Sequence, residues 1–364
     1  MRIAHVRERH APAGTPFRLA AGLPSGEWLD LEPARRQLVR DDPSLPHNDQ
    51  LFRAPVTTLD AHLAAGARVD ALRMLVEPFA TVGLPAGSTD AQAGHGLTLG
   101  PQGLDFGPPI LRPGSLRDFY AFERHVATMW GRRDQQVPEA WYRLPIFYFG
   151  NVSEVRGPGD PVWRPRASHE LDYELEIAAL VDTPALDLSP ESAEEAIGGY
   201  TIFNDWSARD LQREETTVRL GPAKGKDFAA SFGPCLVTPD ELADARAGNG
   251  YALAATAEVN GEELSRGSWS DVHFSFGEML ARASTDARLR PGDLIGSGTV
   301  GTGCLLEIKE ESGFGRWLQP GDDVTLKVER LGALTNPIVE RPPEPQLAAG
   351  GDHPRGWPPR TPYS

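Results

Sequence analysis

Leu171-Asp172-Tyr173-Glu174-Leu175-Glu176-Ile177-Ala178 alternates like a β-strand, and the rest of the chain is read outward from it. Residues two apart on a strand face the same side, so Tyr173, Leu175 and Ile177 form an apolar face while Glu174 and Glu176 share the other. Their α-carbons then lie only ~6.8 Å apart, within reach of one cation held between the two carboxylates. Without a cation the carboxylates repel, and one of them keeps a proton. A solvated strand edge also carries such alternating glutamates, so the pair alone leaves both readings open.

Neighbouring segments add donors of the same kind. Phe203-Asn204-Asp205-Trp206 supplies a third carboxylate, and Asp118-Phe119-Tyr120-Ala121-Phe122-Glu123-Arg124-His125 supplies a fourth together with Tyr120 and His125. Hard divalent cations such as Mg2+ or Ca2+ take oxygen ligands of this type. Arg209 and Gln212 are three apart on what should be a helical turn, so they project from one face. Lys226 lies in a glycine-flanked loop, Gly221-Pro222-Ala223-Lys224-Gly225-Lys226, where the backbone can approach a ligand closely. Singly, each has a plainer reading: Asp118 as a helix N-cap, Arg209 as a surface charge partner, His125 as a satisfied histidine. Their joint occurrence is what points to a site.

Composition bounds the alternatives. With 36 Lys and Arg against 51 acidic residues, the formal charge is -15, which argues against affinity for nucleic acid or anionic membranes. Residues 1–10 hold no apolar run suited to a signal peptide, and no stretch is long enough to span a bilayer, so the expected compartment is the cytoplasm. Cys235 and Cys304 are the sole cysteines, too few for a disulfide framework or a thiolate metal site, and read as small buried filler. The 38 glycines and 33 prolines in 364 residues suit a β-rich body with many turns rather than a helical bundle.

Residues 1–105 read as a separate small α/β unit, with a strand in Ser25-Gly26-Glu27-Trp28-Leu29-Asp30-Leu31-Glu32 feeding a helix through 33–39, and helical spacing over 58–76. Residues 83–107 read as linker and loop, and 106–340 as a sheet-dominated domain. Its expected strands are 145–149, 171–181, 200–204, 235–238, 253–259, 294–297, 305–309 and 323–329, and a helix follows Ser270 with Phe276, Met279, Leu280 and Ala283 on one face. Residues 341–364 form a proline-rich tail. Other chemistries fail at named positions. Ala229 stands where a Gly-x-Ser-x-Gly elbow needs its first glycine, Tyr173 where a zinc-protease helix needs its second histidine, and the loop ending at Lys226 is one residue short of a phosphate loop.

Together the segments resemble the fumarylacetoacetate hydrolase family over most of 116–330. The blocks that carry the likeness are 118–125, Leu144-Pro145-Ile146-Phe147-Tyr148-Phe149-Gly150, 172–176, 203–212, 221–228, 289–299 and Leu305-Leu306-Glu307, in the family order. The resemblance implies a mixed, β-rich α+β fold: a rolled mixed β-sheet catalytic domain behind a small N-terminal domain, assembled as a homodimer. It implies that Asp118, Glu174, Glu176 and Asp205 hold Mg2+ or Ca2+, with Mn2+ also suited. His125, polarised by Glu307, would be the base, with Lys226, Arg209 and Gln212 meeting developing negative charge, and Tyr120, Tyr148, Arg133 and Thr299 contacting the substrate.

The implied activity is hydrolysis of a carbon-carbon bond in a 1,3-diketo acid or acylpyruvate, a small oxo acid of the kind met in aromatic-compound breakdown. The alternative is a decarboxylase, hydratase or tautomerase of a 2-oxo acid working through the same metal-stabilised enolate. Two positions depart from the family pattern. The arginine nine residues past the histidine falls on Asp134 here, with Arg132 and Arg133 just before it, and Tyr148 is followed by Phe149-Gly150-Asn151 rather than His-Gly-Arg.

Overall fold

The fold was analysed in a computed structural model that describes residues 1–12, 14–82, 89–90 and 95–342. The tail beyond 342 and linker residues 83–88 and 91–94 lie outside the described residues. In chain order the elements that matter here are β1 (Arg2–Glu8), β2 (Arg18–Gly22), β3 (Trp28–Asp30), α1 (Leu31–Asp41), β4 (Thr98–Leu99), β5 (Leu116–Phe119), α2 (Glu123–Gly131), β6 (Phe147–Gly150), β7 (Leu175–Val181), β8 (Ile197–Asn204), α3 (Arg209–Thr217) and β9 (Ala230–Val237). They continue with β10 (Ala254–Val259), β11 (Glu262–Ser268), α4 (Phe276–Ser284), β12 (Leu294–Gly296), α5 (Leu305–Ile308), β13 (Asp323–Val328) and β14 (Gly332–Pro337).

One large mixed sheet runs β4-β3-β2-β1-β9-β8-β7-β12-β5-β6, and a second, antiparallel sheet runs β11-β10-β13-β14. β7 pairs antiparallel with β8 and β12, whereas β12 pairs parallel with β5. The central strands are buried on both faces, so successive residues enter different cores. Ile177, Ala179 and Val181 join a core shared with Ala257 and Leu326 of the second sheet. Ala178 and Leu180 join a core shared with Leu31, Leu59 and Leu72 of the N-terminal segment. Burying strands on both faces explains why β7 reads as a near-continuous apolar run after Glu176.

The N-terminal residues are part of this architecture. β1 registers against β9 with Arg2 opposite Val237 and Ile3 opposite Leu236, so the large sheet continues across the boundary near 105 without a break. The expected strand feeding a helix is β3 into α1. The helical spacing over 58–76 resolves into shorter pieces, Leu59–Ala64 and Val69–Leu72, followed by Arg73–Val82. Gly66, at a φ of +82°, turns the chain between the first two. The helix expected after Ser270 is α4, opened by a capping box in which Ser275 accepts from Glu278 N-H and the Glu278 side chain accepts from Ser275 N-H.

Two strand expectations are corrected. Of the expected strand 305–309, Leu305–Ile308 form the short helix α5, because the Leu305 and Leu306 N-H groups find a carboxylate acceptor in Asp172 rather than a neighbouring strand. The segment 171–181 is two strands: Leu171–Asp172 pairs with Ser207–Ala208, and pairing resumes in β7 at Leu175 opposite Asn204. At the break, Glu174 N-H donates to the Asn204 side chain at 3.0 Å.

Candidate active site and metal centre

Strand register assembles the site. Ala178 of β7 lies opposite Gly296 of β12, Gly296 opposite Asp118 of β5, and Asp118 opposite Tyr148 of β6. Glu176, two residues from Ala178, and Asp205, just past β8, bring their carboxylates to the same end. Gly296 has to be a glycine, because a Cβ there would run into the Asp118 carboxylate. Gly298, at a φ of +78°, turns its N-H toward the cluster and donates to Asp118 Oδ1 at 3.2 Å and Glu176 Oε2 at 3.0 Å. Oxygens of Asp118, Glu176 and Asp205 lie within 4.8 Å of one another, all buried.

The glutamate pair is therefore no solvated edge: Glu174 is 5% and Glu176 0% exposed. The two have different surroundings. Arg209 Nη2 lies 2.8 Å from Glu174 Oε1, and Lys226 Nζ donates to Glu174 Oε2 at 2.5 Å and also to Asp205 Oδ2. Burial alone would raise the Glu174 carboxyl, but Lys226 and Arg209 outweigh it and hold the group well below its usual range. For Glu176, burial and then repulsion from Asp118 and Glu174 push the carboxyl well above that range. Asp118 rises for the same reasons, burial first and then Asp205, and burial raises Asp205 despite Lys226.

Such a cluster, rich in anionic oxygen and short of counter-charge at Asp118 and Glu176, fits a hard divalent cation. Asp118, Glu176 and Asp205 are the converging donors, with Glu174 adjacent and turned toward Arg209 and Lys226.

Beside this cluster lies a cavity of about 680 Å³, a size that suits a small-molecule ligand. His125, Tyr120, Tyr148, Arg133, Arg209, Gln212, Lys226, Thr299, Asp118, Glu174 and Glu176 all line it. Asp205 and Glu307 sit behind that lining, Asp205 hydrogen-bonded by the Tyr148 hydroxyl at 2.7 Å and Glu307 against His125. His125 Nδ1 lies 3.1 Å from Glu307 Oε2, both side chains buried, although the N-H does not point along the line a hydrogen bond requires. That contact leaves Nε2 as the nitrogen available to the cavity. Arg209 and Gln212 share a face of α3 as expected, with Nη1 donating to Gln212 Oε1 at 3.2 Å. Thr299 donates to Glu176 Oε1 at 3.3 Å. Met129, Trp130, Ile146 and Phe147 add an apolar wall that the sequence reading did not assign.

Asp172 is the residue that reading passed over. Fully buried, it accepts from Arg209 Nε at 2.7 Å, Leu305 N-H at 2.8 Å and Leu306 N-H at 3.0 Å. One carboxylate thus orients Arg209 and caps the helix that carries Glu307. The signal was present, since Asp172, Glu174 and Glu176 alternate. Asp172→Ala removes one of the two carboxylates that pair with a buried guanidinium and leaves two helix N-H groups without their acceptor, and should cost about 3–5 kcal/mol of stability. Urea melts measure that loss, and a variant as stable as the parent would show that Asp172 orients nothing.

Comparisons with known proteins follow the same residues. The model of the fumarylacetoacetate (FAA) hydrolase C-terminal family matches residues 115–339. A mitochondrial oxaloacetate tautomerase of Xenopus laevis is 30% identical over 207 residues, covering 57% of this chain and 61% of the relative, so the chain spans about three fifths of that protein's length. A fumarylacetoacetase of Arabidopsis thaliana is 29% identical over 297 residues, covering 63% of this chain and 70% of the relative. The crystal structure of maleylpyruvate hydrolase from Sphingobium sp. SYK-6, in complex with manganese(II) and pyruvate, shares the fold at a TM-score of 0.60 and 18% identity, covering 93% of this chain and 99% of the other. The matched segment includes every carboxylate of the cluster, the imidazole with its glutamate, and most of the large sheet, and on that ground the chain belongs to the fumarylacetoacetate hydrolase family.

Proposed function

We propose that the protein is a divalent-metal-dependent hydrolase that cleaves a carbon-carbon bond in an acylpyruvate or related 1,3-diketo acid. The observation that carries this reading is the buried His125–Glu307 pair, whose imidazole lines the same cavity as the carboxylate cluster, because attack by water needs a base. Asp118, Glu176 and Asp205, with Glu174 beside them, would hold Mg2+, Ca2+ or Mn2+. When bound, the cation supplies a Lewis acid that polarises the substrate carbonyls.

The remaining chemistry belongs to the chain. Arg209, Gln212 and Lys226 orient the oxo-acid carboxylate and meet negative charge as it develops. Water attacks the distal carbonyl while His125 Nε2 takes its proton, and the Glu307 carboxylate steadies the imidazolium. The carbon-carbon bond then breaks toward the oxo-acid fragment, whose new carbanion takes the proton back from His125. The products are a carboxylic acid and a 2-oxo acid. A homodimer acting in the cytoplasm completes the proposal, and sedimentation analysis tests its oligomeric part.

A second reading, tautomerisation of a 2-oxo acid, is favoured by the 30% identity to an oxaloacetate tautomerase. One experiment separates the two: purified protein is incubated with acylpyruvates, fumarylacetoacetate analogues and oxaloacetate, with EDTA or with added Mg2+, Mn2+ or Ca2+, and products are identified by mass. The hydrolase yields two fragments whose summed mass exceeds the substrate by one water, is silenced by EDTA, and recovers with metal. Keto-enol exchange without fragments would move the conclusion to the tautomerase, and full turnover in EDTA would remove the metal from the account.

A further inference from the structure

A second group of metal-type donors sits apart from the carboxylate cluster. An imidazole nitrogen of His125, Cys304 Sγ and an oxygen of Glu307 all lie within 4.8 Å of one another. His125 is 3%, Cys304 0% and Glu307 4% exposed. Within the trio, Nδ1 is 3.1 Å from Glu307 Oε2, and the Cys304 thiol approaches the same oxygen at 3.6 Å. Among the described residues, His125 Nδ1 and Glu307 Oε1 have no hydrogen-bond partner although both are buried. Buried polar atoms left without partners are uncommon and call for an occupant or a function.

The donor types say what the occupant is. Sulfur, imidazole and carboxylate together are foreign to Mg2+ and Ca2+, which take oxygen, and suit a borderline-soft ion such as Zn2+. Zinc bonds of ~2.0–2.3 Å in a tetrahedron place neighbouring donors roughly 3.3–3.7 Å apart, so the 3.1 and 3.6 Å separations need little movement. The frame is rigid, since Cys304 and Glu307 flank the first turn of α5, which Asp172 fixes in place. The ion has to displace a held proton, because burial first, and then Asp172, Glu307 and Glu174 against Arg209, push the Cys304 thiol well above its ordinary range.

We infer that His125, Cys304 and Glu307 form a zinc site distinct from the carboxylate cluster, and that zinc bound there through Nδ1 inhibits the enzyme, because the imidazole then carries its own proton on Nε2 and cannot take one from water. On coordination the thiol gives up its proton to solvent, and no oxidation is involved. The binding claim stands on the trio alone. The inhibitory claim rests on His125 being the base, as proposed above.

Cobalt(II) is the probe, because a thiolate-cobalt bond adds near-ultraviolet charge-transfer absorption that an all-oxygen site lacks. Wild-type protein titrated with Co2+ should develop that band, Cys304→Ser should lose it, and Cys235→Ser should keep it. Zinc affinity, read by competition with a chromophoric chelator, should fall roughly 10- to 100-fold or more in Cys304→Ser, since even outer-shell partners are worth that much. With Mg2+ saturating, added Zn2+ should inhibit wild type and inhibit Cys304→Ser correspondingly less. Absence of the band from wild type, which requires no variant to fold, or its persistence in Cys304→Ser, would overturn the site whatever the reaction proves to be. A clear band with equal zinc inhibition of both proteins would overturn the inhibitory role alone.

Discussion

Replacing His125 by alanine should lower the rate of carbon-carbon cleavage by about 10²–10⁴-fold, the usual contribution of a positioned general base, while leaving the Mg2+ and Mn2+ affinity of the carboxylate cluster unchanged. The two effects part because the imidazole lies outside the carboxylate cluster: its neighbours are Glu307, Cys304 and the edge of the Tyr120 ring, with centroids 5.4 Å apart. Glu307→Gln keeps the shape of the pair but removes the charge that steadies the imidazolium, so it should give a smaller loss than His125→Ala. Single-turnover rates with the best substrate of the panel, alongside calorimetric Mn2+ titration, check both halves. Cleavage at the wild-type rate in His125→Ala would remove the base from the mechanism. Equal loss of rate and metal affinity would mean that the substitution had disturbed the site as a whole.

The strand alternation in 171–177 carried a large part of the architecture, because a strand buried on both faces must place every second side chain in one core. Tyr173, Leu175 and Ile177 do enter a single core, and Glu174 and Glu176 do face one cavity. The sequence could not show that the strand breaks between Asp172 and Leu175, because that break depends on Asn204 and on pairing with Ser207–Ala208, both distant in the chain. It misread 305–309 for a related reason. Leu305-Leu306-Glu307-Ile308 has strand-like content, and the acceptor that makes it helical is Asp172, 133 residues away along the chain. Cys304 was passed over because a cysteine count speaks only to all-thiolate sites, and mixed donor sets appear only when the fold brings them together.

Glu176→Gln should weaken Mg2+ or Mn2+ binding by roughly 10²-fold or more, exceeding what outer-shell changes achieve, and should not destabilise the metal-free protein. The second half follows from the sign of the linkage. Burial and repulsion raise the Glu176 and Asp118 carboxyls in the folded state above their unfolded values. Between those two values the folded form holds more protons than the unfolded chain, so these groups cost the metal-free fold stability as pH climbs. A neutral amide removes that cost, and metal-free Glu176→Gln should melt at or above the wild-type temperature at neutral pH. Added Mn2+ should then raise the wild-type melting temperature and barely move the variant, because ligand stabilisation scales with affinity. Glu174 is the contrasting case. Its carboxyl is held low by Lys226 and Arg209, so Glu174→Gln leaves two buried cations short of an anion and should destabilise the protein with or without metal. Opposite signs at two glutamates only two residues apart are hard to produce by general disruption. Thermal melts of both variants with and without Mn2+, with calorimetric affinities beside them, decide the matter. Unchanged affinity in Glu176→Gln would mean that the acids tolerate one another through shared protons rather than through a cation.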